Sequence, residues 1–369
     1  EVAGIEVSFS KLTLVVEFLV MAAVLVWRPW GLLGKPQAPA RHSGTPEQPL
    51  APAGRSGQAA WVGVVLGLLA LPLVLGTESY ATVLLTDMLI AALFAASLHF
   101  ILGPGGMHSF GHAAYFGLGA YGAALAVRAL DLPMEAALLF GPLAAAAGAL
   151  LYGWFCVRLS GVYLTMLTLA FAQITWAIVF QWDDFTGGSN GLTGVWPSAW
   201  ADQGANFYWL ALALCAAGMY LLRRMLFSPL GYALRAARDS AVRADAIGLD
   251  VRRIQWVSFV VAAAFAGVAG ALFVFSKGSV APDSLSVTKS VDALVMVLLG
   301  GIQTLAGPVV GSAAFTWLHD TVARNTDYWR ALMGAIMLVL VLLFPQGIAG
   351  FAQPMQAWLA SKNKAKVVA

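Results

Sequence analysis

Three short constellations in this chain hold residue types that could do chemistry. The stretch 186–194, TGGSNGLTG, contains G-x-S-x-G at Gly187, Ser189 and Gly191. That is the spacing of a serine nucleophile elbow, which needs a strand before it and a helix after it. Here an apolar run and an acidic, aromatic loop surround it, and the loop 182–205 has no histidine. A glycine-rich turn near a substrate entrance is the better reading. Thr186, Gly188, Asn190 and Gly191 are its candidate residues, and no catalytic residue is assigned. His108 and His112 stand at i,i+4, a spacing that could bind a metal on one helical face. No Cys, Asp or Glu lies beside them, so hydrogen bonding at a helix start is expected and no metal site. His99 and His319 are isolated and should satisfy local backbone groups. Cys156 and Cys215 sit inside apolar runs, where a buried thiol is the usual outcome.

The third constellation is the polar island 226–254, LFSPLGYALRAARDSAVRADAIGLDVRRI. Arg235, Arg238, Arg243, Arg252 and Arg253 alternate there with Asp239, Asp245 and Asp250. Residues 234–249 read as one short helix after the breaker Ser228-Pro229-Leu230-Gly231. Ala237, Ala241, Ala244 and Gly248 recur at helical spacing as a small-residue stripe. Arg235 with Asp239, and Asp239 with Arg243, form i,i+4 pairs. A helix with a small flat face and a charged rim suits a groove on a soluble partner. The alternative is a solvated loop held in place by charge rules alone.

What positions these residues is a membrane-scale frame. The 369 residues are 60% hydrophobic and 11% charged, with mean hydropathy +0.79. Soluble domains carry roughly 25% charge, so the chain reads as an integral membrane protein. The net charge of +3 clusters beside spans, as topology requires, and implies no nucleic acid. The fold class is all-α: a polytopic transmembrane helix bundle of about nine to eleven hydrophobic segments. Candidate spans are 12–33, 60–76, 81–102, 109–127, 134–157, 160–181, 206–226, 255–276 and 329–344, with a broken hairpin at 290–323. Counting from a cytoplasmic island puts the linker 35–58 and the C-terminal lysines inside, and the loop 182–205 outside. Arg128 and Lys277 fall outside against the rule. Gly117 and Gly119 suit close helix contact, and Gly307 with Gly311, like Gly63 with Gly67, spells G-x-x-x-G. Glu17, Asp87, Glu135 and Asp292 are placed near outer ends as interfacial residues, leaving a largely apolar pathway. On that count neither midplane carboxylates nor matched broken helices are evident, which disfavours an ion-coupled secondary transporter.

Four segments together resemble the membrane subunits of bacterial ABC importers for branched-chain amino acids and related amides. They are SFGHAAYFGLGAYGAAL at 109–125, GVYLTMLTLAFAQI at 161–174, the stretch 228–273 and VLLGGIQTLAGPVVGSA at 297–313. The resemblance is to the larger of the family's two permeases, over residues 59–350. It implies that the loop 227–254 holds a coupling helix for the ATPase, with Arg235, Arg238, Asp239, Arg243, Asp245 and Gly248 as coupling residues. It implies as partners a second permease, two cytoplasmic ATPase subunits and an extracytoplasmic binding protein, in the bacterial plasma membrane. The chain has no G-x-x-x-x-G-K-[ST]. No cofactor is therefore expected on it directly; ATP and Mg belong to partner subunits. Branched-chain amino acids are the implied substrates, with urea and short amides as alternatives. Residues 1–34 end in PWGLLG, which matches PQGIAG at 345–350, and they resemble the last helix of the partner permease. Residues 1–58 thus read as the tail of a fused permease plus a Pro-rich linker, and 351–369 as a cytoplasmic tail.

Overall fold

The computed structural model of the chain describes residues 9–28, 55–77, 79–326, 328–343 and 347–350. In chain order the long helices are α1 (Phe9–Trp27), α2 (Arg55–Leu75), α3 (Tyr80–Leu102), α4 (His112–Leu130), α5 (Met134–Cys156) and α6 (Val162–Gln181). A turn of helix, α7 (Asp183–Thr186), precedes a two-residue strand β1 (Leu192–Thr193). Then come α8 (Asn206–Leu226), α9 (Pro229–Asp239), α10 (Ala241–Ala246) and α11 (Val251–Lys277). Strand β2 (Ser279–Val280) pairs antiparallel with β1, and α12 (Val287–Gly300), α13 (Gly307–Asn325) and α14 (Trp329–Leu343) follow. Among the described residues seven helices are long and apolar enough to cross a membrane: α2 to α6, α8 and α11. The 290–323 hairpin is α12 and α13, with its break at 301–306. The repeat's first copy, most of the linker and the tail lie outside the described residues.

Local chemistry sets the boundaries. Ser79 accepts from the Thr82 amide and caps α3, and Asp250 accepts from the Arg253 amide at the start of α11. Pro229 opens α9, where its missing N–H costs nothing. The predicted span 109–127 is shifted in the structure. The turn Gly103-Pro104-Gly105-Gly106 extends through Gly111, and α4 starts only at His112. His108 therefore lies in the turn and shares no helical face with His112. His112 instead shares a 2.8 Å hydrogen bond with Ser97 of α3 and stacks on Phe94.

The centre of the bundle is the mutual packing of α4, α5 and α11. A Cβ on Gly119 would lie 2.4 Å from the Gly267 Cα, and one on Gly270 would lie 1.9 Å from the Phe116 carbonyl oxygen. Helix backbones approach this closely only where both sides are small. Gly117 admits the Leu285 side chain in the same way. Gly307 and Gly311 hold α13 against α12, since a Cβ on Gly311 would lie 1.9 Å from the Met296 carbonyl oxygen. The Gly63–Gly67 pair departs from expectation: nothing lies within 4 Å of either added Cβ, so this face of α2 packs on no described residue.

Contacts sort the turns into two ends. The 103–107 turn, the α9–α10 segment and the 301–306 break share the basic end. There, His99 Nε2 donates to the Ile302 carbonyl over 2.7 Å and Arg238 reaches Gly103. The bond from His99 is to a backbone group, but a distant one rather than a local one. The loop 182–205, the strand pair and the α3–α13 contact of Tyr80 with Asp320 and Arg324 share the opposite end. Helix α1 packs along α6.

Gly119→Val is expected to cost about 1–3 kcal/mol or more, and to lower the melting temperature of the detergent-purified protein. Gly67→Ala should stay within about 0.5 kcal/mol of wild type.

Candidate functional site

The polar island folds as two helices rather than one. Its first helix starts at Pro229 rather than Leu234, and the break falls at Ser240, whose backbone is extended (φ −164°, ψ 102°). The Ser240 hydroxyl accepts from the Arg243 amide at 3.3 Å and starts α10. Serine favours such a cap over a helix interior because its side chain competes for backbone donors. Two sequence expectations fail for this reason. Asp239 and Arg243 lie on different helices and make no ion pair; Asp239 is taken by its neighbour Arg238 at 3.0 Å. The small-residue stripe is also split. Ala237 and Ala244 are buried against the bundle, whereas Ala241 and Gly248 are exposed. The outward face of α10 and its C-cap carries Arg243 and Asp245 with two bare apolar side chains, Val242 at 67% and the capping Ile247 at 76% exposure.

The inner face of the island is anchored. Leu234 is wholly buried, and a Cβ on Gly231 would lie 2.2 Å from the Leu226 carbonyl oxygen. The Arg235 guanidinium lies over Tyr232, 4.4 Å from the ring centroid, and its Nη2 donates to the Leu226 carbonyl oxygen at 3.4 Å. Arg238 Nη1 donates to the Gly103 carbonyl oxygen at 3.0 Å, which ties α9 to the end of α3. Gly106, at φ +64°, leaves room for the Arg238 stem: an added Cβ would sit 2.6 Å from its Cγ. Sequence reasoning missed this seat for Arg238, although the glycines of 103–106 were its signal. Gly248 (φ +89°) turns the chain toward α11 in open space.

The glycine-rich loop at the opposite end is a structural turn. Helix α6 precedes it and β1 follows it, the reverse of the strand–turn–helix order a nucleophile elbow requires. Thr186 is buried and donates to the Val179 carbonyl oxygen at 2.6 Å, so it holds the end of α6 and does not face outward. Gly188 and Gly191 are needed for packing. A Cβ on Gly188 would meet Asp183 Oδ1 at 1.7 Å, and one on Gly191 would meet the Val280 carbonyl oxygen at 2.1 Å. Of the four residues singled out there, only Asn190 is exposed.

The carboxylates placed near outer ends divide. Glu135 does lie at a helix end, hydrogen-bonded to Ser198 and Trp200. Glu17 lies in the middle of α1 and is exposed. Asp87 and Asp292 line a cavity of about 170 Å³ with Lys277, Lys289 and His319. Its α3 wall runs from Asp87 to Phe94, across the middle of a helix that spans Tyr80–Leu102. Asp87 is bound to Lys277 at 2.7 Å, which accounts for a lysine on the side the charge rule disfavours. The interior of the bundle is therefore not wholly apolar, and His319 faces this cavity while stacking on Phe315. Lys289 and Asp292 are three residues apart in an apolar run. Intramembrane charges read as functional by default, and that signal was available in the sequence.

The seven apolar helices, the basic knob at one end and the charged cavity between the helices define a multi-pass membrane protein. The chain belongs to the family described as branched-chain amino acid transport system / permease component, whose family model matches residues 80–341. It is 28% identical over 306 residues to the high-affinity branched-chain amino acid transport system permease protein LivM of Escherichia coli (strain K12), covering 76% of this chain and 71% of that one. The permease protein LivH of the same organism matches at 26% identity over 38% of this chain and 46% of its own length. The autoinducer 2 import system permease protein LsrC of Klebsiella pneumoniae matches at 32% over 37% of this chain and 40% of its own. No solved structure matches the chain.

Ser240→Ala should remove the α10 cap at a cost of about 1 kcal/mol. Hydrogen exchange at Ala241–Ala246 is expected to speed up while exchange in α11 stays unchanged.

Proposed function

We propose that the chain forms one half of the translocation path of an ATP-driven importer of branched-chain amino acids. The observation that carries the mechanism is the α9–α10 knob: anchored inward through Leu234 and Arg238, bare outward at Val242 and Ile247. A short helical segment with two apolar anchors suits a groove on a soluble partner. The occupant of choice is an ATPase subunit, with ATP and Mg bound there and not on this chain. On this reading the basic end is cytoplasmic, in keeping with the clustering of Arg223, Arg224, Arg235, Arg238, Arg252 and Arg253. The protein then lies in the bacterial plasma membrane, with loop 227–254 and the chain beyond α14 inside. A second permease completes the path, and an extracytoplasmic binding protein delivers the substrate to the 182–205 end.

The knob's mechanical role follows from its two joints. Arg238 links α9 to the 103–106 turn between α3 and α4, and Asp250 caps the start of α11. Movement of a docked ATPase would reach α3, α4 and α11 together. The permease would then act as a two-state element biased by nucleotide. Residues Arg243, Asp245 and Gly248 lie on the outward side and Arg235 and Arg238 on the inward side, with Asp239 held between by Arg238.

An ion-coupled transporter is the competing class, because Asp87 and Asp292 share a charged cavity with Lys277, Lys289 and His319. Reconstituted vesicles separate the two. With both ATPases, the second permease and the binding protein present, leucine uptake should require ATP, and Ile247→Asp should lower it about tenfold or more by placing an uncompensated charge in the docking groove. Binding of leucine to the delivery protein should be unaffected. Uptake by the permeases without ATPases, driven by a proton or sodium gradient, would overturn the reading.

A further inference from the structure

Taking the import reading as given, we propose that the α3–α11–α12–α13 cavity is a binding site for the zwitterionic head of an α-amino acid, with Lys289 facing the carboxylate and Asp292 the ammonium. The two side chains rise from α12 three residues apart, on one face of the helix. Among the described residues neither takes part in an ion pair or a side-chain hydrogen bond, while Asp87 and Lys277 on the same cavity wall satisfy each other. Lys289 Nζ lies 5.5 Å from the ring centroids of both Phe116 and Phe273. Aromatic faces keep an ammonium in a water-poor site without neutralising it. The aromatic contacts and the charges around the cavity hold the pair in place, and no direct ion pair between the two closes it to a ligand.

The rest of the lining fits the substrate's other half. Phe94, Phe116, Phe273 and Phe315, with Ile90 and Met296, give an apolar wall beside the charged pair. A branched aliphatic side chain would lie against that wall, while urea or a short amide would leave it uncovered and would carry no charge for Lys289 or Asp292. Small ligand sites combine a mainly apolar lining with a few convergent polar groups in this manner. The backbone holds the pair in register. Ser286 caps α12, and Ser290 Oγ accepts from the Ala113 amide at 2.9 Å, which fixes α12 to the start of α4 between the two charged residues.

The test uses the complete transporter in vesicles, with leucine uptake and ATP hydrolysis measured together. Asp292→Asn and Lys289→Met should each lower leucine moved per ATP hydrolysed by about tenfold, the loss of one charge-assisted contact. Lys289→Arg should recover most of the coupling. Thr316→Cys, on the α13 wall of the cavity with both charged residues intact, should react with a thiol-directed reagent more slowly when leucine is supplied; this arm remains decisive if Lys289→Met fails to assemble. Coupling within twofold of wild type in Asp292→Asn together with leucine-independent labelling would overturn the site and leave the import reading standing. Absence of ATP-dependent leucine uptake by the wild-type transporter would instead overturn the import reading, and this site with it.

Discussion

Everything in this molecule depends on the close approach of three helix backbones. Helices α4, α5 and α11 touch where Gly119, Gly141, Gly267 and Gly270 leave no room for a Cβ. In a lipid environment helices gain little from burying apolar side chains, because the lipid is as apolar as they are. Dense packing between small residues must supply the cohesion instead. The consequence is a rigid rod, α11, gripped along its middle. One of its ends begins at the charged knob and the other ends at Lys277 on the cavity wall. The grip makes it possible for a disturbance at the knob to be felt at the cavity.

Two weaker joints complete the linkage. Arg238 crosses from α9 to the Gly103 carbonyl, and His99 reaches the Ile302 carbonyl in the break between α12 and α13. Both bonds end on main-chain atoms in glycine-rich turns. Such turns can shift by small changes of φ and ψ without repacking side chains. Gly347, at φ +78°, presses on the same break: an added Cβ would lie 2.3 Å from the Gly301 Cα. The break thus receives contacts from α3 and from the chain that follows α14, while α12 carries Lys289 and Asp292 directly above it. Continuous contact thus joins the knob to the charged pair, a route by which coupling between the two ends is carried on the proposed mechanism.

Much of the architecture could be read from hydropathy alone, because membrane-length runs leave few alternatives. The hairpin at 290–323 was legible from its Gly-Gly and Gly-Pro punctuation, and the basic island from its charge. What the sequence hid were the places where one residue decides between two local structures. Ser240 is compatible with a helix interior or with a cap; only the packing of Leu234 and Ala244 against the bundle selects the cap. Gly63 and Gly67 have the same pattern as Gly307 and Gly311, yet only the second pair meets a partner helix. Thr186 looked outward on paper, but its hydroxyl is consumed in ending α6. The shared cavity of Asp87 and Asp292 could not be counted from the chain, since it depends on how α12 sits against α3, α4 and α11, a tertiary fact fixed in part by the Ser290–Ala113 bond.

On the proposed import mechanism the exposed face of α10 is seated in an ATPase. Site-specific photocrosslinking measures this directly. A benzoyl-phenylalanine is placed at position 247 of the assembled transporter, where the native Ile247 is the most exposed large apolar side chain of the knob. A covalent adduct with the ATPase subunit is expected, its yield changing with nucleotide. An adduct only with lipid or with the second permease would contradict it.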